Sequence, residues 1–273
     1  DGASYTVSVY PVNAWGIEGE PITAAFETPA SVIVPYETDN PVRYVGTFTD
    51  FESYKRLRRS TENGVYSGEA TGDYFLGQWD GAGTIRDTVL SLADGHGFEG
   101  SKAGAVTVNA GSHSNRALYL FADAANHIPR DYPSTRYLRV WVDFTGIDFR
   151  KASFGLVTKY GELFSTDDID GRTDLPFYLL AEGETEWKTM YHGTDGCFGA
   201  AQSSSVKDFK GWLAFPTSDF GARDGSGSTF DVRSVTAVYM YFDLSSDDML
   251  GKPFYLDEIA LVEDYRVFEE IAP

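Results

Sequence analysis

Rings and carboxylates alternate along two short runs of this chain. In Tyr137-Leu-Arg-Val-Trp-Val-Asp-Phe144, residues two apart share one face of an extended strand. Leu138, Val140, Val142 and Phe144 then fall on one side, and Tyr137, Arg139, Trp141 and Asp143 on the other. Val235–Leu244 divides in the same way, with Val238, Met240, Phe242 and Leu244 inward and Tyr239, Tyr241 and Asp243 outward. Large rings left in water forfeit burial, so something is expected to cover such a face. One cover is a ligand: the axial C–H faces of a sugar stack on aromatic rings, while Asp and Arg bind its hydroxyl groups. The other is polypeptide, either a second layer of loops or the hairpin that opens the chain. Trp212 alternates with Leu213 and Phe215 and is expected on the same surface. Trp79, within Gly77-Gln-Trp-Asp-Gly81, would line one end of a groove. Trp187 reads as core and Trp15 as a packing residue in a turn.

Other chemistry finds little support. His96, His113, His127 and His192 lack His-Glu-x-x-His spacing, and no nucleophile elbow, phosphate loop or dinucleotide fingerprint occurs. Glycoside hydrolysis asks for two carboxylates at a set separation. Asp143 and Asp243 are the pair that the strand reading offers, with hydrogen bonding to a ligand preferred as their role. Cys197 is the only cysteine, which removes an intramolecular disulfide and any Cys-pair zinc site. The acidic run Asp167-Asp168-Ile-Asp170-Gly171-Arg-Thr-Asp174 fails as a helix–loop–helix calcium loop. Aligning Gly171 with the loop glycine leaves Thr166 at the first ligand position and Phe177 at the closing one.

The elements that must position these residues are read from punctuation and alternation. Among 273 residues, 28 Gly and 11 Pro interrupt short alternating runs, the pattern of an all-β sandwich or barrel. Extended runs are predicted at 105–109, 117–122, 137–144, 153–160, 177–181, 186–191, 211–215, 235–244 and 254–262, enough for two packed sheets. Only residues 50–59 suggest a helical turn. Residues 1–28 form an opening hairpin, 29–44 with Pro29, Pro35 and Pro41 a linker, 45–265 the main domain and 266–273 a tail.

Lys plus Arg total 22 against 41 Asp plus Glu, a formal charge of −19, which repels phosphate backbones and anionic lipid surfaces. Nucleic acid and membrane therefore drop to the bottom of the list of partners. No apolar run approaches the roughly 20 residues that span a bilayer. The chain opens on Asp1 without a signal stretch and reads as a segment of something longer. An acidic, nearly Cys-free, Tyr- and Gly-rich composition suits an extracellular or cell-surface bacterial module.

Two resemblances follow. Tyr5-Thr-Val7-Ser-Val9-Tyr-Pro-Val12-Asn13-Ala-Trp-Gly16 resembles the penultimate strand and turn of a fibronectin type III domain, with residues 21–28 as its last strand. That match covers roughly a quarter of a ~100-residue sandwich. The larger domain resembles the jelly-roll, galactose-binding-like carbohydrate-binding modules of bacterial polysaccharide-degrading enzymes. The match rests on Asp50-Phe51-Glu52, residues 137–144, Lys210-Gly-Trp-Leu-Ala-Phe-Pro216 with Phe220, and Phe254-Tyr-Leu-Asp257-Glu-Ile259.

The resemblance implies a jelly-roll β-sandwich and a non-catalytic module that brings a secreted multimodular enzyme to a polysaccharide or glycan. Arg139, Trp141, Asp143, Tyr239, Tyr241, Asp243, Trp212 and Trp79 are then the ligand-binding candidates. It also implies a structural calcium held by Glu52 and Asp257, with Asp50 a further candidate. The domain is longer than usual for that family. The surplus falls at 58–104, 161–175 and 192–208, where specificity would differ. Two rivals stand beside this reading: a structural or adhesive module, favoured if polypeptide covers Trp141 and Tyr239, and a small lyase or hydrolase on the same scaffold.

Overall fold

The computed structural model describes residues 4–9, 22–27, 45–52, 54, 57–59, 73–77, 87–111, 116–121, 136–158, 163–166, 175–191, 208–222, 235–266 and 268. The chain divides into two compact units, Asp1–Val42 and Arg43–Pro273. In the first, β1 (Ser4–Val9) and β2 (Ile22–Glu27) pair antiparallel, from Ser4 opposite Glu27 to Val9 opposite Ile22. This is the hairpin that the alternation predicts.

The second unit holds two sheets. One runs in the order β15 (Gly221–Ala222), β11 (Leu163–Ser165), β10 (Phe149–Thr158), β16 (Val235–Leu244), β8 (Arg116–Phe121), β5 (Asp73–Gly77) and β4 (Arg58–Arg59). The other runs β13 (Lys188–Tyr191), β12 (Pro176–Ala181), β14 (Lys210–Pro216), β9 (Tyr137–Asp143), β17 (Pro253–Val262), β7 (Ala103–Val108) and β6 (Thr88–Ala93), and β3 (Val45–Thr49) also pairs with β17. The chain passes repeatedly from sheet to sheet, as from β8 to β9 to β10, which makes the unit an all-β jelly-roll sandwich. Among the described residues no helix is long and apolar enough to cross a membrane.

Alternation explains the core. Leu138, Val140, Val142 and Phe144 from one sheet join Val238, Met240, Phe242 and Leu244 from the other in a single buried cluster. Burial of a side chain of this size contributes roughly 1.5–3 kcal/mol. Phe149 and Phe242 meet Phe254 edge-on at centroid distances of 5.3 and 5.1 Å, the arrangement aromatic quadrupoles prefer. One extra residue, Glu258 at φ 46°, bulges β17. The register against β9 shifts between Asp257 and Ala260. The bulge resets the parity of the strand, so that Ile259 and Leu261 point inward as Phe254 and Leu256 do.

Two expectations need correction. The described part of 50–59 contains no helical turn. Thr49 Oγ1 accepts from Phe51 N at 3.1 Å, Asp50 Oδ1 accepts from Glu52 N at 3.0 Å, and Phe51 sits at φ 59°. These local side-chain bonds close a turn that a helix cannot continue. The span 58–104 is not all loop either: it carries β4, β5, β6 and the start of β7.

Gly211 is held at φ 144°, where a Cβ would stand 2.1 Å from the Leu180 carbonyl oxygen. β14 can therefore lie this close to the end of β12 only without a side chain there. Gly211→Ala is expected to lower stability by about 2 kcal/mol, read as a fall in the urea midpoint at unchanged m-value.

Candidate functional site

Register distributes the rings and carboxylates singled out above over two surfaces. On the outer face of the sheet containing β9, Leu180, Trp212, Trp141 and Asp257 form one cross-strand row, and Lys210, Asp143 and Tyr255 the next. Tyr239, Tyr241 and Asp243 lie on β16, on the outer face of the opposing sheet. The expectation that the two strands share one face is therefore wrong, although the inward and outward sides of each were read correctly. Asp143 and Asp243 lie on opposite outer faces and cannot flank a single glycosidic bond. Trp79 lies outside the described residues.

The β16 face is sealed. Tyr239 is 0% exposed and packs with Ala117, Tyr119, Val157, Ala237 and Tyr241 in a second buried cluster. Tyr119 and Tyr239 meet at 5.0 Å. Asp243 accepts from Tyr241 Oη at 2.9 Å through Oδ1 and pairs with Arg150 at 2.5 Å through Oδ2. These groups satisfy one another, and Tyr239 offers no ring to a cleft, contrary to expectation.

The β9 face carries a recess of about 200 Å³. Trp141 and Trp212 form its floor, Phe98 and Phe268 its walls, and Glu182 and Glu184 part of its rim. The rings are more enclosed than alternation implies, Trp141 being 1% and Trp212 5% exposed. Their cover is polypeptide. Phe98, in the 3-10 turn Phe98–Gly100, meets Trp212 edge-on at 4.9 Å, and Phe268 lies 5.0 Å from the same indole. Tyr265 stacks on Tyr178 at 4.3 Å, and Trp187, half-buried rather than core, meets Tyr265 edge-on at 4.8 Å.

Arg139 lies beneath this layer, its guanidinium 5.0 Å from Trp212 and 4.6 Å from Phe268. It donates to the Tyr265 carbonyl at 3.4 Å. Burial lowers its pKa to about 10, against the raising influence of Glu258 and Asp264, so it stays cationic at neutral pH. Its role is to hold the closing segment by cation–π attraction; it does not line the recess. Asp143 lies beside the recess, in the row next to Trp141. Its Oδ2 lies 3.8 Å from Lys210 Nζ, which is 2.9 Å from Glu182 Oε1 and 5.8 Å from the Trp141 ring centre. The Glu182 hydrogen bond raises the Lys210 pKa.

The calcium candidates gather around the loop 97–102. Asp257 Oδ2 accepts from Phe98 N at 2.9 Å and Ser101 Oγ at 2.7 Å. Its Oδ1 is buried with no hydrogen-bond partner among the described residues. The Glu52 carboxylate accepts from Lys102 N, and Lys102 Nζ donates to the Glu52 carbonyl at 3.1 Å. Asp50 is engaged with Glu52 N as described above. Among the described residues no three acidic, His or Cys side chains converge to hold a metal. The donor chemistry nevertheless fits a hard cation: the Glu52 and Asp257 carboxylates both bond to the loop 97–102, and one Asp257 oxygen is buried without a hydrogen-bond partner among the described residues.

No protein-family model and no curated protein matches the chain. Solved structures do. The family 11 carbohydrate-binding module of cellulosomal cellulase Lic26A-Cel5E of Clostridium thermocellum shares 11% identity over 80% of this chain and 93% of its own, with a TM-score of 0.40. The C-terminal family 22 carbohydrate-binding module of Clostridium thermocellum Xyn10B shares 13% identity over 78% of this chain and 97% of its own, with a TM-score of 0.28. An exo-β-agarase shares 12% identity over 84% of this chain and 25% of its own, with a TM-score of 0.37. At such values no residue role transfers, and the functional argument rests on this chain's own geometry.

Sequence reasoning missed Phe98, Glu182, Glu184 and Phe268, because turns and a terminal segment carry no periodicity to mark them. Burial pushes Asp257 from 3.8 up to about 6, with the Ser101 and Phe98 hydrogen bonds opposing. Between those values the folded chain binds more protons than the unfolded one. The contribution of this group is therefore fully present in acid and lost as pH rises through about 6. In chelator-treated buffer, the change in melting temperature between pH 4 and pH 7 should shrink in Asp257→Asn relative to the parent.

Proposed function

We propose that this chain is a non-catalytic carbohydrate-binding module of a secreted, multimodular bacterial enzyme, with the recess over Trp141 and Trp212 as its binding site. The observation that carries the reading is an indole-floored recess lined at one side by Glu182 and Glu184, with Lys210 bridging Glu182 to Asp143 beside it. Sugar C–H faces need flat apolar walls, and sugar hydroxyls need charged donors and acceptors at the edge. Here the recess offers the rings of Phe98, Trp212 and Phe268 and the carboxylates of Glu182 and Glu184. The separation of Asp143 and Asp243 onto opposite faces removes the one carboxylate pair that the strand reading offered for hydrolysis. Tethering then acts by proximity, raising the effective concentration of an attached catalytic domain at its polymer.

The test is calorimetric titration with cello-, xylo- and agaro-oligosaccharides, three contrasting glycan classes. Binding of at least one series is expected. Leu180→Arg, which puts a long charged side chain on the recess's own face beside Trp212 without removing a core ring, should weaken it at least tenfold while the protein stays folded. Undiminished affinity in that variant would move the site elsewhere.

A second reading is favoured by the enclosure of Trp141 and Tyr239: a structural or adhesive module whose outer rings pack on protein. It predicts no binding to any sugar in the panel.

Calcium belongs to the same proposal. Glu52 and Asp257, with Asp50 nearby, would hold Ca²⁺ and tie the end of β3 to β17 through the loop 97–102. Adding calcium to chelator-treated protein at pH 7 should raise the melting temperature by several degrees, and Asp257→Ala should abolish the rise. An unchanged melting temperature in the parent would remove the metal.

A further inference from the structure

We infer that the recess is the first of two adjoining subsites and that the stacked pair His96 and Tyr255 forms the second, together accepting consecutive units of a neutral oligosaccharide. This rests on the carbohydrate-binding reading above and specifies its ligand.

Size sets the argument. A recess of about 200 Å³ falls below the roughly 300 Å³ at which pockets begin to take drug-sized ligands. It holds one sugar ring, and the rest of a glycan must lie outside it. One ring pair outside it, on the same sheet face, is His96 and Tyr255. Their planes are 8° from parallel with centroids 4.4 Å apart, and His96 is exposed while Tyr255 is half-buried. His96 precedes Phe98, a recess wall, by two residues. Tyr255 faces Asp143 across the strand pair, one row along from Trp141. Platform and recess therefore adjoin along the same sheet face, with Asp143 beside Tyr255 and Lys210 on the far side of Asp143.

Polarity narrows the occupant. Burial and the Asp143 charge raise the Tyr255 pKa, so its phenol remains a neutral hydroxyl donor. Lys210 is already engaged by Glu182 and Asp143, and the whole chain carries −19. An anionic glycan meets repulsion at this mouth; a neutral one meets aromatic faces and hydroxyl partners.

The test is NMR titration of the parent, His96→Ala and His96→Phe with glucose and cellotriose, xylose and xylotriose, and galactose and an agar-derived trisaccharide. In the parent, one trisaccharide should bind at least tenfold more tightly than its monosaccharide. His96→Ala should lose most of that gain, about tenfold, and His96→Phe should keep it, because a stacked ring is retained. Monosaccharide binding should be alike in all three. A trisaccharide gain that survives His96→Ala, or no gain in the parent, overturns the second subsite while leaving the recess reading intact. A parent that responds to none of the sugars overturns both.

Discussion

Two sheets packed face to face allow each strand only one inward side, and most of this molecule follows from that constraint. The inner sides of β9, β10, β16 and β17 merge into one aromatic and aliphatic cluster in which Phe149, Phe242 and Phe254 meet edge to face. Any ring on an outer side must then find its cover elsewhere. The bulge at Glu258 shows how strictly the rule is kept: without an inserted residue, the last third of β17 would turn Ile259 and Leu261 to the outside.

The two outer faces meet the demand differently. On the β16 side, Tyr119, Tyr239 and Tyr241 make a satellite cluster, and Asp243 is satisfied by a phenol and a guanidinium. On the β9 side the cover is assembled from separate pieces: a 3-10 turn, the turn after β12 and the segment after β17. Pieces of different origin close imperfectly over two indoles. The gap they leave is the recess, and its rim is polar because turns supply Glu182 and Glu184.

Charge is managed locally despite the large net negative value. Arg139 is buried against Trp212 and Phe268, and Lys210 bridges Glu182 and Asp143. Asp257 is the exception, a desolvated carboxylate with one oxygen left bare. A bare buried carboxylate oxygen is costly unless protonated or met by a cation.

Local sequence determined which residues of each strand point inward, because a period of two is a property of the backbone alone. Leu138, Val140, Tyr239 and Tyr241 all lie on the sides that alternation assigns. The opening hairpin and the extents of β9, β14 and β16 were legible for the same reason. Which sheet each strand joins was not, since partner choice depends on contacts between residues far apart in the chain. Only the tertiary structure set β9 and β16 on opposing sheets, separated Trp141 from Tyr239, and brought Phe98 and Phe268 together over Trp212. Those pairings are long-range packing, and no local pattern of side chains encodes them.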